Sequence, residues 1–232
     1  KLAALGEMSA AVSHELNQPL AAMKTYLAGA KLLLQRKRPD EALSSFQRID
    51  DLIERMGAIT RQLKSFARKG GEAFEPIDFR SSVSAALAMM EPQLKTRAVK
   101  ITRGLPRQPV MVMADRIRLE QVIINLLRNA VDAVRDRRDA RIEITVETGT
   151  NAHVLVRDNG PGISDLEKLF EPFWTTKKPG EGTGLGLAIS SSIMADFGGR
   201  LTAHNADQGG AVFAVEMPLH KPGQPAQTLA AE

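Results

Sequence analysis

Three side chains suited to group transfer stand close together in the string Ser13-His14-Glu15-Leu16-Asn17-Gln18-Pro19-Leu20. A solvated imidazole at its ordinary pKa is partly neutral near pH 7, and the neutral ring nitrogen of His14 is a competent nucleophile. Glu15 can accept a proton from the opposite ring nitrogen and raise that nucleophilicity. Gln18 follows four residues later on the same helical face, where its amide can orient water. Further along, Asn125 and Asn129 repeat the four-residue spacing. Two amide oxygens on one face can reach a single hard cation, and Mg²⁺ takes few protein ligands, keeping phosphates and waters for the rest. In Asp158-Asn159-Gly160-Pro161-Gly162-Ile163 an acidic residue stands at a strand end beside two glycines, a pattern that on its own reads as a plain turn. Gly182, Gly184 and Gly186 permit close backbone approach, and a helix starting near Leu185 would aim its free amide hydrogens and positive end at phosphate. The glycines lack the Rossmann spacing, and no Gly-Lys-Ser/Thr P-loop occurs.

These residues need elements to hold them. Apolar residues at Leu2, Leu5, Met8, Val12, Leu16, Leu20, Met23, Leu27 and Leu34 predict one helix with a buried stripe over residues 2 to about 35. His14 lies about 200° from both Val12 and Leu16 around that helix, so it faces outward. Pro19 has no amide hydrogen and crowds the carbonyl of Glu15, which predicts a kink at the reactive turn. After a break at Arg36 to Asp40, a second helix from Glu41 to about Arg68 places Phe46, Ile49, Ile53, Met56, Thr60, Leu63 and Ala67 on a heptad seam. Two such helices cannot bury both stripes alone. A second copy completing a four-helix bundle is the economical arrangement, so a homodimer is expected.

Residues 1–70 form this first domain, residues 71–77 a linker next to the Gly70-Gly71 hinge, and residues 78–220 a second domain. Helices over about 79–98 and 116–134 alternate with strands near 99–102, 110–113, 142–148, 153–156, 201–203 and 211–216, which predicts helices packed on one face of a sheet. The Pro/Gln/Ala tail, 221–232, reads as disordered.

With 43% apolar residues in 232, the chain can bury a substantial core. Its 31 basic and 27 acidic residues are spread out, which argues against a direct nucleic-acid partner. The absence of cysteine excludes disulfides and thiolate metal sites and suits a cytosolic setting. Lys24 and Lys31 interrupt the longest apolar stretch, so no membrane contact is expected from this chain. Because it opens in mid-pattern on Lys1-Leu2, the chain reads as part of a longer protein.

In combination, His14-Glu15-Leu16-Asn17-Gln18-Pro19-Leu20, Asn125-Leu126-Leu127-Arg128-Asn129, Asp158-Asn159-Gly160-Pro161-Gly162, Phe170-Glu171-Pro172-Phe173-Trp174-Thr175-Thr176-Lys177 and Gly182-Thr183-Gly184-Leu185-Gly186 resemble the catalytic core of bacterial two-component sensor histidine kinases. The strings look most like the subgroup of C4-dicarboxylate transport sensors. The resemblance covers about residues 1–219. It implies an α/β sandwich ATP-binding domain of the histidine kinase, chaperone and gyrase type after the helical hairpin. It also implies ATP as phosphoryl donor, Mg²⁺ as cofactor, His14 as acceptor, and the Asp of a response regulator receiver domain as the next carrier. The longer protein would be anchored in the inner membrane with this part in the cytosol.

Residue by residue, the resemblance assigns Asn129 to Mg²⁺ and places Asn125 where related ATPases carry a water-activating Glu. An amide is no base, which favours phosphoryl transfer over hydrolysis. Asp158 would accept a hydrogen bond from the adenine amino group, with Gly160 and Gly162 letting the ring approach backbone. Residues 175–184 would form a lid, with Lys177 contacting phosphate. Gln18 stands where many relatives carry Thr or Asn to hold the water that dephosphorylates a regulator. Two other readings are a related ATPase, which Asn125 opposes, and a catalytically silent dimeric scaffold that binds nucleotide only to set conformation.

Overall fold

The computed structural model describes residues 2–67, 74–177, 182 and 184–220. Only the backbone is described for residues 2–15, 55, 58, 59 and 61–67. The hinge glycines 70 and 71 and the tail after His220 therefore lie outside the described residues. The chain divides into two compact units, Lys1–Lys69 with Pro172–Leu185, and Gly70–Glu171 with Gly186–Glu232.

In the first unit, α1 (Leu2–Gln35) and α2 (Pro39–Ala67) pack as a hairpin. The helix of α1 runs on through Pro19, whose ring is buried, while Gln18 beside it is exposed. At its end, Lys37 takes φ 59°, the Arg38 amide donates to the Leu33 carbonyl and the Lys37 amide to that of Leu34. This is the double hydrogen bond of a Schellman stop, with lysine in the left-handed position where glycine is usual. Helix α2 begins two residues earlier than expected because Pro39 suits a first helical position, where no amide hydrogen is required; Asp40 and Glu41 then complement the helix dipole.

Burial along the hairpin is incomplete. Ala30 and Ala42 are buried and Leu16, Ile49, Leu52 and Met56 half-buried. Leu20, Leu27 and Leu34, seven residues apart, remain 42%, 43% and 49% exposed, and Phe46 and Ile53, again seven apart, 40% and 54%. An apolar heptad stripe on each helix thus remains uncovered by the hairpin itself.

The second unit stacks helices on a sheet. Its five-stranded sheet has the order β2 (Lys100–Gly104), β4 (Arg141–Thr148), β5 (Asn151–Asp158), β7 (Ala211–Pro218), β6 (Arg200–Asn205), with β2 parallel to β4 and the other pairs antiparallel. Period-2 alternation sends Ile142, Ile144, Val146, Val154, Val156, Val215 and Met217 into the core. Helices α3 (Phe79–Thr96), α4 (Arg116–Ala133) and α5 (Gly186–Asp196) contribute Leu87, Met90, Leu119, Ile123, Leu126, Leu127, Ile193 and Met194, with α4 packed against α3, α5 and β5. Each such fully buried side chain adds about 1.5–3 kcal/mol.

A strand absent from the sequence reading, β1 (Glu75–Asp78), pairs antiparallel with β3 (Met111–Ala114), so the strand expected near 110–113 belongs to a separate two-stranded ladder and not to the main sheet. Asp78 then caps α3: its carboxylate accepts from the Arg80 and Val110 amides and pairs with the Arg80 guanidinium at 2.7 Å. Burial pushes the Asp78 carboxyl up, but the Arg80 side chain and the two amides outweigh it and hold it below the usual carboxylate range. Phe74, just before β1, stands edge-on to Phe197 at 5.3 Å, and the Arg118 guanidinium lies 5.2 Å from the Phe197 ring centre. Among the described residues no helix is long and apolar enough to cross a membrane.

Candidate functional site

The backbone of His14 and Glu15 lies within α1, and their side chains lie outside the described residues. In the second unit, Asn125 and Asn129 sit one turn apart on α4, both half-buried, with the core residues Leu126 and Leu127 between them in the chain. Asn125 Nδ2 donates to Ser190 Oγ on α5 at 3.0 Å. A Cβ at residue 186 would stand 2.5 Å from Asn125 Oδ1, so glycine at the start of α5 keeps that amide oxygen uncovered.

Asp158 ends β5 with 3% of its surface exposed. Its Oδ1 accepts from the amides of Gly160 at 2.8 Å and Ala211 at 3.3 Å. No hydrogen bond from the described residues reaches Oδ2. Burial pushes the Asp158 carboxyl above its ordinary range, against the opposing pull of the two amides. Gly210, at φ 89°, passes so close that a Cβ there would lie 1.9 Å from the Asp158 carbonyl oxygen, and only glycine is compatible with both constraints. Gly160 is enclosed by Ala133 at the end of α4 and by Asp158 itself.

The loop after Asp158 is tied at both sides. Asn159 accepts from the Arg141 amide and donates to the Asp139 carbonyl, each at 2.9 Å. Asn205, at the end of β6, accepts from the Ile163 amide at 2.6 Å and donates to the Ile163 carbonyl at 2.9 Å. Gly162 lies against the Asn205 amide. Asn205 and Ser190 were not singled out in the sequence. The available signal for Asn205 was a polar residue closing a strand shortly before Gly209-Gly210.

In the segment 172–185, the Lys177 amide donates to Thr175 Oγ1 at 3.1 Å, and the stem of Lys177 lies beside Gly182. The Phe173 amide donates to the Gly184 carbonyl at 3.0 Å. Gly184, at φ 65°, lies directly against the Phe173 backbone, leaving no room for a side chain.

Residues 4–72 match the His Kinase A (phospho-acceptor) domain, and residues 114–221 the histidine kinase-, DNA gyrase B- and HSP90-like ATPase domain. The solved catalytic domain of the histidine kinase ThkA is 32% identical, with a TM-score of 0.57 over 63% of this chain and 96% of that one. This chain belongs to the histidine kinases. Its phospho-acceptor region contains His14, and its ATPase region runs from before Asn125 to beyond Gly210. The C4-dicarboxylate transport sensor proteins DctB of Pseudomonas aeruginosa and of Rhizobium meliloti are 40% and 41% identical over 96% and 94% of it. It spans little more than a third of their length, 37% and 35%. The structure of the histidine kinase ThkA in complex with the response regulator protein TrrA matches 94% of this chain and 63% of that one at 26% identity, with a TM-score of 0.76. The helical hairpin and the α/β layer expected from the sequence are the family's two domains.

Proposed function

We propose that this chain transfers the γ-phosphoryl group of ATP to a ring nitrogen of His14, releasing ADP, and then passes it to an aspartate of a response regulator receiver domain. The seat of Asp158 carries this reading. A buried carboxylate with one oxygen fixed by two backbone amides and the other open can accept from an amino group on a purine, and it repels a carbonyl at the same edge. ATP is therefore favoured over GTP. Gly160 and Gly162 let the ring approach backbone, and Lys177, Gly182, Gly184 and Gly186 serve the phosphates.

No group of three or more acidic, histidine or cysteine residues able to hold a metal occurs among the described residues. The amide oxygens of Asn129 and Asn125 fit a cation that arrives with phosphates, not one caged by protein. They would hold Mg²⁺, which supplies neutralisation of charge on the transferred group. Glu15 would accept a proton from the second His14 nitrogen, and Gln18 would orient water when the regulator is dephosphorylated.

The uncovered stripes, Leu20, Leu27 and Leu34 on α1 and Phe46 and Ile53 on α2, support a homodimer closed as a four-helix bundle. Residues 1–70 act as acceptor domain, 71–77 as linker and 78–220 as ATP-binding domain. The length that relatives carry beyond the matched region leaves room for a sensor and an inner-membrane anchor, with this part in the cytosol.

The deciding experiment incubates the chain and its His14→Gln variant with γ-labelled ATP and Mg²⁺. Acid-labile, alkali-stable label confined to the unmodified chain is expected. Tight ATP binding without label would instead indicate a silent nucleotide-binding scaffold.

A further inference from the structure

The β6–β7 hairpin holds the Asp158 seat from two directions through a single residue. Along its backbone, Asn205 is the register partner of Ala211, whose amide donates to Asp158 Oδ1. Through its side chain, Asn205 engages both backbone polar groups of Ile163, forty-two residues away, at 2.6 and 2.9 Å. Only a primary amide offers one acceptor and one donor side by side in a plane, matching the N–H and C=O of one residue; serine is too short and aspartate lacks the donor. The approach is close enough that a Cβ on Gly162 would lie 2.7 Å from Asn205 Oδ1 and 3.5 Å from the Gly210 carbonyl oxygen. The turn behind Asn205 is itself closed, with the Ala206 amide donating to the Gly210 carbonyl at 3.0 Å and the Gly209 amide to that of Ala206 at 2.9 Å.

We infer that Asn205 is a positioning residue for base selection: it locks the loop 159–163 to the β6–β7 hairpin, so that Asp158 presents a fixed acceptor to the purine edge. The inference rests on the reading of Asp158 as the group that reads adenine. Asn205 touches no reacting atom, and its effect reaches the nucleotide only through the loop and Ala211. Without the clamp, the loop and the Ala211 amide can shift independently, and discrimination at the base edge is lost before phosphate binding is.

The test measures displacement of a fluorescent nucleotide from the full 232-residue chain by ATP, GTP and inorganic triphosphate, for the unmodified protein, Asn205→Ala, Asn205→Asp and Asp158→Asn. In Asn205→Ala the preference for ATP over GTP should fall about tenfold, the scale of two lost hydrogen bonds, while triphosphate affinity stays unchanged. Asn205→Asp, which keeps the acceptor for the Ile163 amide but opposes its carbonyl, should fall between. A role in stability alone would lower the melting temperature and leave the ATP to GTP ratio intact, and that result overturns the inference. If Asn205→Ala does not fold, the ratio in Asn205→Asp decides on the same terms. Should the unmodified chain show no preference for ATP, or Asp158→Asn keep it, the adenine reading falls and this inference with it. If those two behave as expected and both Asn205 variants retain full selectivity, only the role of Asn205 falls.

Discussion

Asp158→Asn separates recognition from stability, because burial makes the two respond in opposite senses. The substituted amide keeps an oxygen for the Gly160 and Ala211 amides, but it replaces the open Oδ2 with a donor. An amino group that donated to a carboxylate then meets another donor. A hydrogen bond to a charged group contributes about 1.5–3 kcal/mol, so ATP affinity should fall about 10- to 150-fold. Stability should not follow. The folded-state pKa of Asp158 is raised by burial, so folding opposes ionisation of this group. Its contribution is least unfavourable below the ordinary carboxylate value, worsens as pH rises through the raised folded value, and is level above it. Asparagine has no charge to bury, and the variant should be at least as stable as the parent at pH 7, the difference closing in acid. Thermal melts across pH, together with isothermal titration of ATP, read both quantities. In the parent, ATP affinity should also fall as pH drops towards the raised value, and this pH dependence should vanish in the variant. A variant that melts several degrees lower at pH 7, or that binds ATP as tightly as the parent, would refute the reasoning.

Gly210→Ala should destabilise the chain by more than about 2 kcal/mol in denaturant unfolding, because left-handed strain is joined by the clash with the Asp158 carbonyl. Gly209→Ala, at φ 85° with open space around it, should cost about 1 kcal/mol, and equal costs at the two positions would remove the contact from the explanation. Replacing both Phe46 and Ile53 with Asp should raise the dimer dissociation constant about 10²- to 10⁴-fold, because the dimer carries four such side chains, two per protomer, each about half exposed in the single chain and so with about half of its 1.5–3 kcal/mol of burial still to gain. Sedimentation velocity would show monomer at micromolar concentration, and an unchanged dimer would move the interface elsewhere.

The helices and the strands β2 to β7 were legible because burial on one face leaves a periodic trace. Leu119, Val122, Ile123, Leu126 and Leu127 mark α4, and the alternating Val154 and Val156 mark β5. Strand β1 left no such trace. Its four residues include one buried apolar side chain, Ile77, and a proline, and its identity comes from pairing with residues 111–114. The site divides in the same way. Asp158 and the glycines stood out through local chemistry. Asn205 and Ser190 did not, since an isolated Asn or Ser gains meaning only from a partner that the fold brings from 42 or 65 positions away. The exposure of Leu20, Leu27 and Leu34 follows from the expectation that two helices cannot bury both stripes alone; what a heptad pattern does not record is which chain covers the face.

The small β1–β3 ladder also determines where the second unit can be joined to other things. Leu219 bridges to Val112, and the His220 amide donates to the Met111 carbonyl, so the end of β7 runs onto the strand that pairs with β1. Entry at residue 75 and exit at residue 220 are therefore stitched to the same four-residue strand. A body whose two ends meet can be spliced into a host loop or circularly permuted with little distortion of its core. Such an architecture behaves as a cassette: it can be transplanted between host chains while its interior, and the Asp158 seat built on it, stays untouched.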